Sequence, residues 1–124
     1  MSPRKGLGRG RTRTADDLLP LTPLAFSILI ALLEGDLHGY GIARRIAERD
    51  AGSVTLAPGN LYAAIDRLIR SELVEPVPPS TGEERRREYR ITPFGREVAR
   101  HETSRLEAVV RTARRLHILR SGRP

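Results

Sequence analysis

Cysteine and tryptophan are both missing from the 124 residues, and lysine occurs once, at Lys5. Without cysteine there is no disulfide, no thiolate nucleophile and no cysteine-ligated zinc site. Such a chain fits a reducing compartment. Aromatic residues make up only 4%: Phe26, Tyr40, Tyr62, Tyr89 and Phe94. Long apolar runs are missing too. The longest, Leu24 to Leu33, is broken by Ser27 and is too short to span a bilayer. No apolar signal core follows the basic start, so the sequence reads as a soluble, cytoplasmic protein without a membrane partner.

Arginine, by contrast, is abundant. Lys+Arg is 22 against 15 for Asp+Glu, a formal charge of +7. Every cation but Lys5 is arginine, whose planar fork suits phosphate better than an ammonium does. A GC-rich genome would account for the choice of arginine over lysine, but not for the net charge. A basic excess of this kind points to an anionic partner, either nucleic acid or an acidic membrane surface. With 39% hydrophobic residues, the chain has enough for one modest core and one domain.

Residues 1–20 read as a flexible basic arm, carrying Arg4, Lys5, Arg9, Arg11 and Arg13 among small and polar residues. The arm suits a phosphate backbone or a minor groove, and equally a solubilising leader. Thr22-Pro23 is a helix start, because threonine caps and proline is favoured in the first turn. Leu24, Ala25, Ile28, Leu29, Leu32 and Leu33 follow at helical spacing. A second helix runs from Gly39 or Tyr40 to Arg49, with Ile42, Ala43, Ile46 and Ala47 as its stripe. The third starts at Pro58 and reaches Glu72. Its apolar side is Leu61, Ala64, Ile65, Leu68 and Ile69; Gly59, Ala63, Asp66, Arg67 and Arg70 lie opposite.

The period then changes. Leu73–Val77 and Arg86–Ile91 read as two short strands around a Pro-Pro-Ser-Thr-Gly turn. Pro76 cannot donate to a ladder, so the first strand should be an edge strand or a short one. Thr92-Pro93 repeats the first helix start and predicts a long helix over 93–120, before a tail at 121–124. Ala99, Leu106, Val109, Ala113 and Leu116 form a seam on it, broken by Glu102. So long a seam outruns so small a core and calls for a second copy of the chain, or for packing on the first helix.

The predicted fold is mainly α (α+β): a winged helix-turn-helix domain over 21–92, with a two-stranded wing and a C-terminal dimerisation helix. A major groove admits one helix. The preceding helix braces it, and a basic hairpin reaches the flanking backbone. Five local stretches sharpen the assignment. In order they are Leu21-Thr22-Pro23-Leu24, His38-Gly39-Tyr40-Gly41-Ile42, Leu56-Ala57-Pro58-Gly59-Asn60-Leu61-Tyr62, Leu68-Ile69-Arg70-Ser71-Glu72-Leu73-Val74, and Arg87-Glu88-Tyr89-Arg90-Ile91-Thr92-Pro93-Phe94-Gly95. Together, over residues 21–95, the chain resembles the PadR family of bacterial transcriptional regulators. The resemblance implies a homodimeric repressor on a palindromic DNA operator. It also implies C-terminal helices that dimerise and often shape a pocket for a small hydrophobic effector. Some relatives respond to phenolic acids and others to planar drugs gripped by tryptophans, which this chain lacks. Asn60 stands where the family often has serine or threonine.

On this reading the DNA-binding candidates are Tyr40, Arg44, Arg45, Gly59, Asn60, Tyr62, Ala63, Asp66, Arg67, Arg85, Arg86 and Arg87. Tyr62 either touches phosphate or a thymine methyl, or packs on the wing. Gly59 brings backbone close to phosphate at the helix N-terminus, or merely starts the helix. Arg67, read as nearer the N-terminal half of its helix, has a better case than Arg70. Arg44 and Arg45 reach flanking phosphates or pair with Glu48. Tyr40 offers its hydroxyl or buries its ring. The wing arginines position rather than read. His38 reads as a capping residue and Tyr89 as core.

Catalysis finds no support. His38, His101 and His117 are scattered, and no Gly-Lys-Ser/Thr follows Gly35, Gly39 and Gly41. No metal or cofactor is expected. Two other functions compete with specific DNA reading: a non-specific basic nucleic-acid binder, and a protein-interaction module using the C-terminal seam.

Overall fold

The computed structural model describes residues 13–50, 58–78 and 87–117. Two Thr-Pro steps start the helices that frame it. The Thr22 hydroxyl accepts from the Ala25 N–H at 3.0 Å, opening α1 (Pro23–Leu32). The Thr92 hydroxyl accepts from the Gly95 N–H at 2.8 Å, opening α4 (Pro93–Arg115). In each case the side chain satisfies a donor that the first turn leaves unpaired. Between them lie β1 (Leu37–His38), α2 (Gly39–Asp50), α3 (Pro58–Arg70), β2 (Val74–Val77) and β3 (Glu88–Ile91).

The apolar stripes meet in one core, except that Leu33 at the end of α1 and Ala47 of α2, both assigned to the stripes by spacing, are exposed. Ile28, Leu29 and Leu32 of α1 are buried with Ile42 and Ile46 of α2. Leu61, Ala64, Ile65 and Leu68 of α3 close the same core, while Ile69 is half-buried. Each large aliphatic side chain buried there contributes about 1.5–3 kcal/mol. Leu73, Val74, Ile91, Val98 and Ala99 extend the core beneath the sheet and the start of α4.

The wing strands are shorter than predicted, and they do not stand alone. The sheet has three antiparallel strands in the order β1-β3-β2. Leu37 pairs with Tyr89, and Val74 with Ile91. The third strand is two residues long, too short for any period to announce it. Pro76 lies on β2 at an edge, as its missing donor requires.

The exit of α3 is closed by a left-handed residue. Glu72 has φ 67°. Its N–H donates to the Ile69 carbonyl, and the Leu73 N–H to the Leu68 carbonyl, both at 2.9 Å. This pair of bonds is the Schellman arrangement, with Leu68 and Leu73 buried together. The chain then leaves for the wing and returns. Thr92 N–H donates to the Leu73 carbonyl at 3.0 Å, and the Thr92 hydroxyl donates to the Glu72 carbonyl at 2.7 Å. Gly95 is required at this junction. A β-carbon there would overlap the Leu73 carbonyl oxygen and come within 2.8 Å of Ile91 Cγ1.

Two boundaries and one residue differ from those read in the sequence. The arm drawn at 1–20 does not extend through residues 13–20. Ala15–Leu18 form a 3-10 turn that packs on α4 with Ala15 buried, and Leu18 and Leu19 border the core. The drive is local burial, which a short polar-looking stretch does not advertise. α4 ends at Arg115 rather than near residue 120, with His117 left-handed at φ 65°. Glu102, read as a break in the seam, is 1% exposed and is part of the interior. The Leu21 N–H donates to it at 3.1 Å, and Arg105 holds both its oxygens at 2.7 and 3.0 Å. Arginine beside it, chiefly through these hydrogen bonds, holds its carboxyl below the ordinary glutamate range, against the opposing effect of burial.

Candidate nucleic-acid interface

The apolar stripe of α3 is turned inward, which leaves its opposite face outward. Gly59, Asn60, Tyr62, Ala63, Asp66, Arg67 and Arg70 are all exposed. The face has two flanks. Tyr62 and Asp66 lie on the wing side, near enough to act electrostatically on Tyr89 of β3. Tyr89 is buried, and burial first, then Tyr62, raises its phenol above the ordinary tyrosine value; nearby Arg87 opposes this. Arg67 lies on the other flank, where it borders a small cleft with Leu18, Pro20 and Thr22. It belongs to the last turn of α3, not to its N-terminal half.

Tyr62 remains 46% exposed while its ring rests on α2. A β-carbon on Gly39 would lie 2.6 Å from the ring carbon that bears the hydroxyl, so only glycine admits the ring there. The start of α2 is next to it. His38 Nδ1 accepts from the Gly41 N–H at 3.2 Å and caps the helix. Tyr40 is 67% exposed and stacks on His38 at 6.4 Å, so its ring is not buried. The Arg44 guanidinium sits 6.0 Å from the Tyr40 ring centroid and 3.4 Å from Glu48. Tyr62, Tyr40 and Arg44 thus form a polar, aromatic edge from α3 to the start of α2.

Arg45 does not join that edge. It is bonded to Glu34 at 2.5 Å, beside Arg49 at 2.8 Å, and lines a cleft with Phe26 and Ile30. The i,i+1 step from Arg44 turns it to another side of the helix. Arg87 is exposed immediately before β3, at the end of the wing strands away from the Leu73–Thr92 base. Arg85 and Arg86 lie outside the described residues, as do the arm cations Arg4, Lys5, Arg9 and Arg11. The fifth arm cation, Arg13, is described and is bound to the domain. It donates to the Ser71 carbonyl at 2.6 Å and lies 5.4 Å from the Phe94 ring centroid.

Of the five seam residues, Ala99 is buried in the chain's own core and presents nothing to a partner. The turn it occupies is covered by the domain, and only later turns project past it. Val109 is 52% exposed and Leu116 61%, while Leu106 and Ala113 are half-buried. Val110 is exposed as well and was not singled out by the spacing. Leu106, Val110 and Phe26 line an open groove of about 560 Å³ that also takes in Arg111 and Arg114. Among the described residues no group of His, Asp and Glu could hold a metal ion, and no helix is long and apolar enough to cross a membrane.

Comparison with known proteins bears directly on this arrangement. The profile of the transcriptional regulator PadR-like family matches residues 28–101, from within α1 to within α4. An uncharacterized 37.1 kDa protein in transposon TN4556 of Streptomyces fradiae is 41% identical over 75 residues, which are 60% of this chain and 20% of that protein. The chain therefore spans about a fifth of that relative's length. A transcriptional regulator from Clostridium thermocellum superposes with a TM-score of 0.66 at 27% identity, covering 74% of this chain and 87% of its own. A PadR family transcription regulator from Clostridium difficile gives 0.66 at 21% identity, covering 75% and 96%, and supports the winged-helix fold. With the profile spanning more than half its length, from α1 through the wing into α4, this chain belongs to the PadR-like family of transcriptional regulators.

Proposed function

We propose that the protein is a sequence-specific, homodimeric repressor that reads a palindromic operator in double-stranded DNA. The observation that carries this reading is the outward face of α3. Glycine, asparagine, tyrosine, alanine, aspartate and arginine stand clear of the core on a helix braced by α2 and flanked by a wing. Family regulators bind DNA. Here α3 enters the major groove. Asn60 and Tyr62 meet base edges or a thymine methyl, and Arg67 contacts backbone or base beyond them. Arg44 and Tyr40 at α2, and Arg85, Arg86 and Arg87 at the wing, hold flanking phosphates.

The dimer forms through the later turns of α4. Leu106, Val109, Ala113 and Leu116 pair with the same residues of a second copy, which places two α3 helices one turn of DNA apart. A small hydrophobic effector would sit in the groove beside Phe26, Leu106 and Val110, and would act by shifting the two heads relative to each other. The work of such a protein is at the chromosome, in the cytoplasm.

Selection from a random duplex library tests the reading. The expected product is a two-fold symmetric site with half-sites about 10 base pairs apart. Tyr62→Ala and Arg67→Ala should each weaken binding to it and leave the sedimentation coefficient of the dimer unchanged. Equal binding to random duplex, with a steep salt dependence, would make the protein a non-specific basic binder instead. A monomer in sedimentation would assign the α4 row to a different protein partner.

A further inference from the structure

Residues 13–21 precede the stretch that matches the family, yet they are fixed to the domain at three points. Arg13 is at the first, where α3 ends and α4 begins. Its guanidinium donates to the Ser71 carbonyl at 2.6 Å, approaches the Glu72 carboxylate at 3.5 Å and lies over Phe94 at 5.4 Å. Ala15 makes the second, buried in the turn that packs on α4, beside Asp16 at 3.4 Å from His101. The third is Leu21, whose N–H is held by the buried carboxylate of Glu102 on α4. Elsewhere α4 packs chiefly on α1, and α3 on α1, α2 and β2.

We infer that residues 13–21 form a strap that fixes the angle between α3 and α4, with Arg13 as a positioning residue for DNA reading. The inference rests on the reading of α3 as the recognition helix. The physical argument is one of leverage. The junction between α3 and α4 turns on Glu72, a left-handed residue at φ 67°. The Arg13 guanidinium engages both sides of that turn, the Ser71 carbonyl before it and the Phe94 ring after it. A charge-assisted bond to a carbonyl and a cation–π contact together restrict the pivot. In a dimer joined through α4, the direction of α3 relative to α4 sets the separation of the two recognition helices. A strap that stiffens this pivot therefore raises affinity for the correctly spaced site without itself reading it.

The test uses the full chain and the duplex selected by the wild-type protein. Arg13→Ala, Arg13→Lys and wild type are compared by fluorescence anisotropy across a salt series, at a temperature where circular dichroism shows all three folded. Arg13→Ala should weaken binding by at least about fivefold, the low end of ordinary coupling between sites. The slope of log affinity against log salt should stay as in wild type, because no phosphate contact is lost. Arg13→Lys, which keeps a donor for the Ser71 carbonyl but not the flat cation over Phe94, should fall between the two. Should Arg13→Ala fail to fold, the lysine variant alone decides the matter. Wild-type affinity in the variants overturns the inference. So does a loss accompanied by a slope shallower by about one, which would make Arg13 a phosphate ligand. Failure of the wild type to select any duplex would instead remove the DNA reading itself.

Discussion

The ring of Tyr62 lies against the backbone of Gly39, in space that a single methyl group at position 39 would fill. The helix that faces outward is thereby seated on the helix that braces it, through an aromatic residue still 46% exposed. Packing and presentation meet in one side chain.

Gly39→Ala should therefore act on Tyr62 rather than on the core. The exposed ring is free to swing outward, so the stability loss stays near the low end of overpacking, about 1 kcal/mol. DNA affinity should fall about as far as in Tyr62→Ala, because the phenol leaves its place. Thermal melts and anisotropy on the single and double variants check this. If Gly39→Ala weakens binding further in a Tyr62→Ala background, the two residues do not act through this contact.

Glu102 carries a pH dependence of known sign. Its carboxyl is held below the ordinary value of 4.5, first by hydrogen bonds from Arg105. A depressed carboxylate contributes stability that is fully present above the unfolded value and is lost as pH falls through the folded one. The wild type should thus lose stability from this group on acidification below about 4.5. Glu102→Gln should be less stable at neutral pH by about 1.5–3 kcal/mol, the range for hydrogen bonds to a charged group. It should also show a shallower decline in the acid range. Urea midpoints at pH 7 and pH 3.5 measure both effects. A constant difference between the two proteins would show that Glu102 is not the titrating group.

Relief of backbone strain should be visible at Glu72. A left-handed conformation costs a non-glycine residue about 1–2 kcal/mol. Against this stand the greater unfolded-state freedom of glycine and the loss of an exposed pair with Arg13, worth at most about 1 kcal/mol. Glu72→Gly should raise stability by about 0.5 kcal/mol, and Glu72→Val should lower it. A chemical denaturation series distinguishes the two directions.

The parts of this fold that were legible in the sequence are those with repetition or dedicated chemistry. Thr22-Pro23 and Thr92-Pro93 each satisfy a helix start with one hydroxyl, so the residues name the position. The α3 stripe buries the residues its spacing selects, because a helix that packs on one side leaves a periodic trace. Short and singular features left no such trace. β1 is two residues long. The docking of residues 13–20 combines one buried alanine, Ala15, with Leu18, Leu19 and single contacts such as that of Arg13, a set too short and irregular to leave a period. The site was half legible for the same reason. Periodicity gave the outward face of α3, but not which flank each residue takes. Arg67 therefore proved to border Leu18 and Pro20, and Arg45 to be held by Glu34. Glu102 looked like an interruption because its partners, a backbone amide 81 residues away and an arginine one turn on, cannot be seen in a hydropathy pattern.

The bond from Thr92 N–H to the Leu73 carbonyl has a consequence for how such proteins can change. The chain departs from a point and comes back to it, so everything from Val74 to Ile91 is an excursion closed at its base. Its length is a free variable. A change in chain length between Val77 and Arg87 leaves untouched the bond that fixes where α3 ends and α4 begins. The same scaffold can thus be fitted with hairpins of different length and charge while its helical frame is inherited intact.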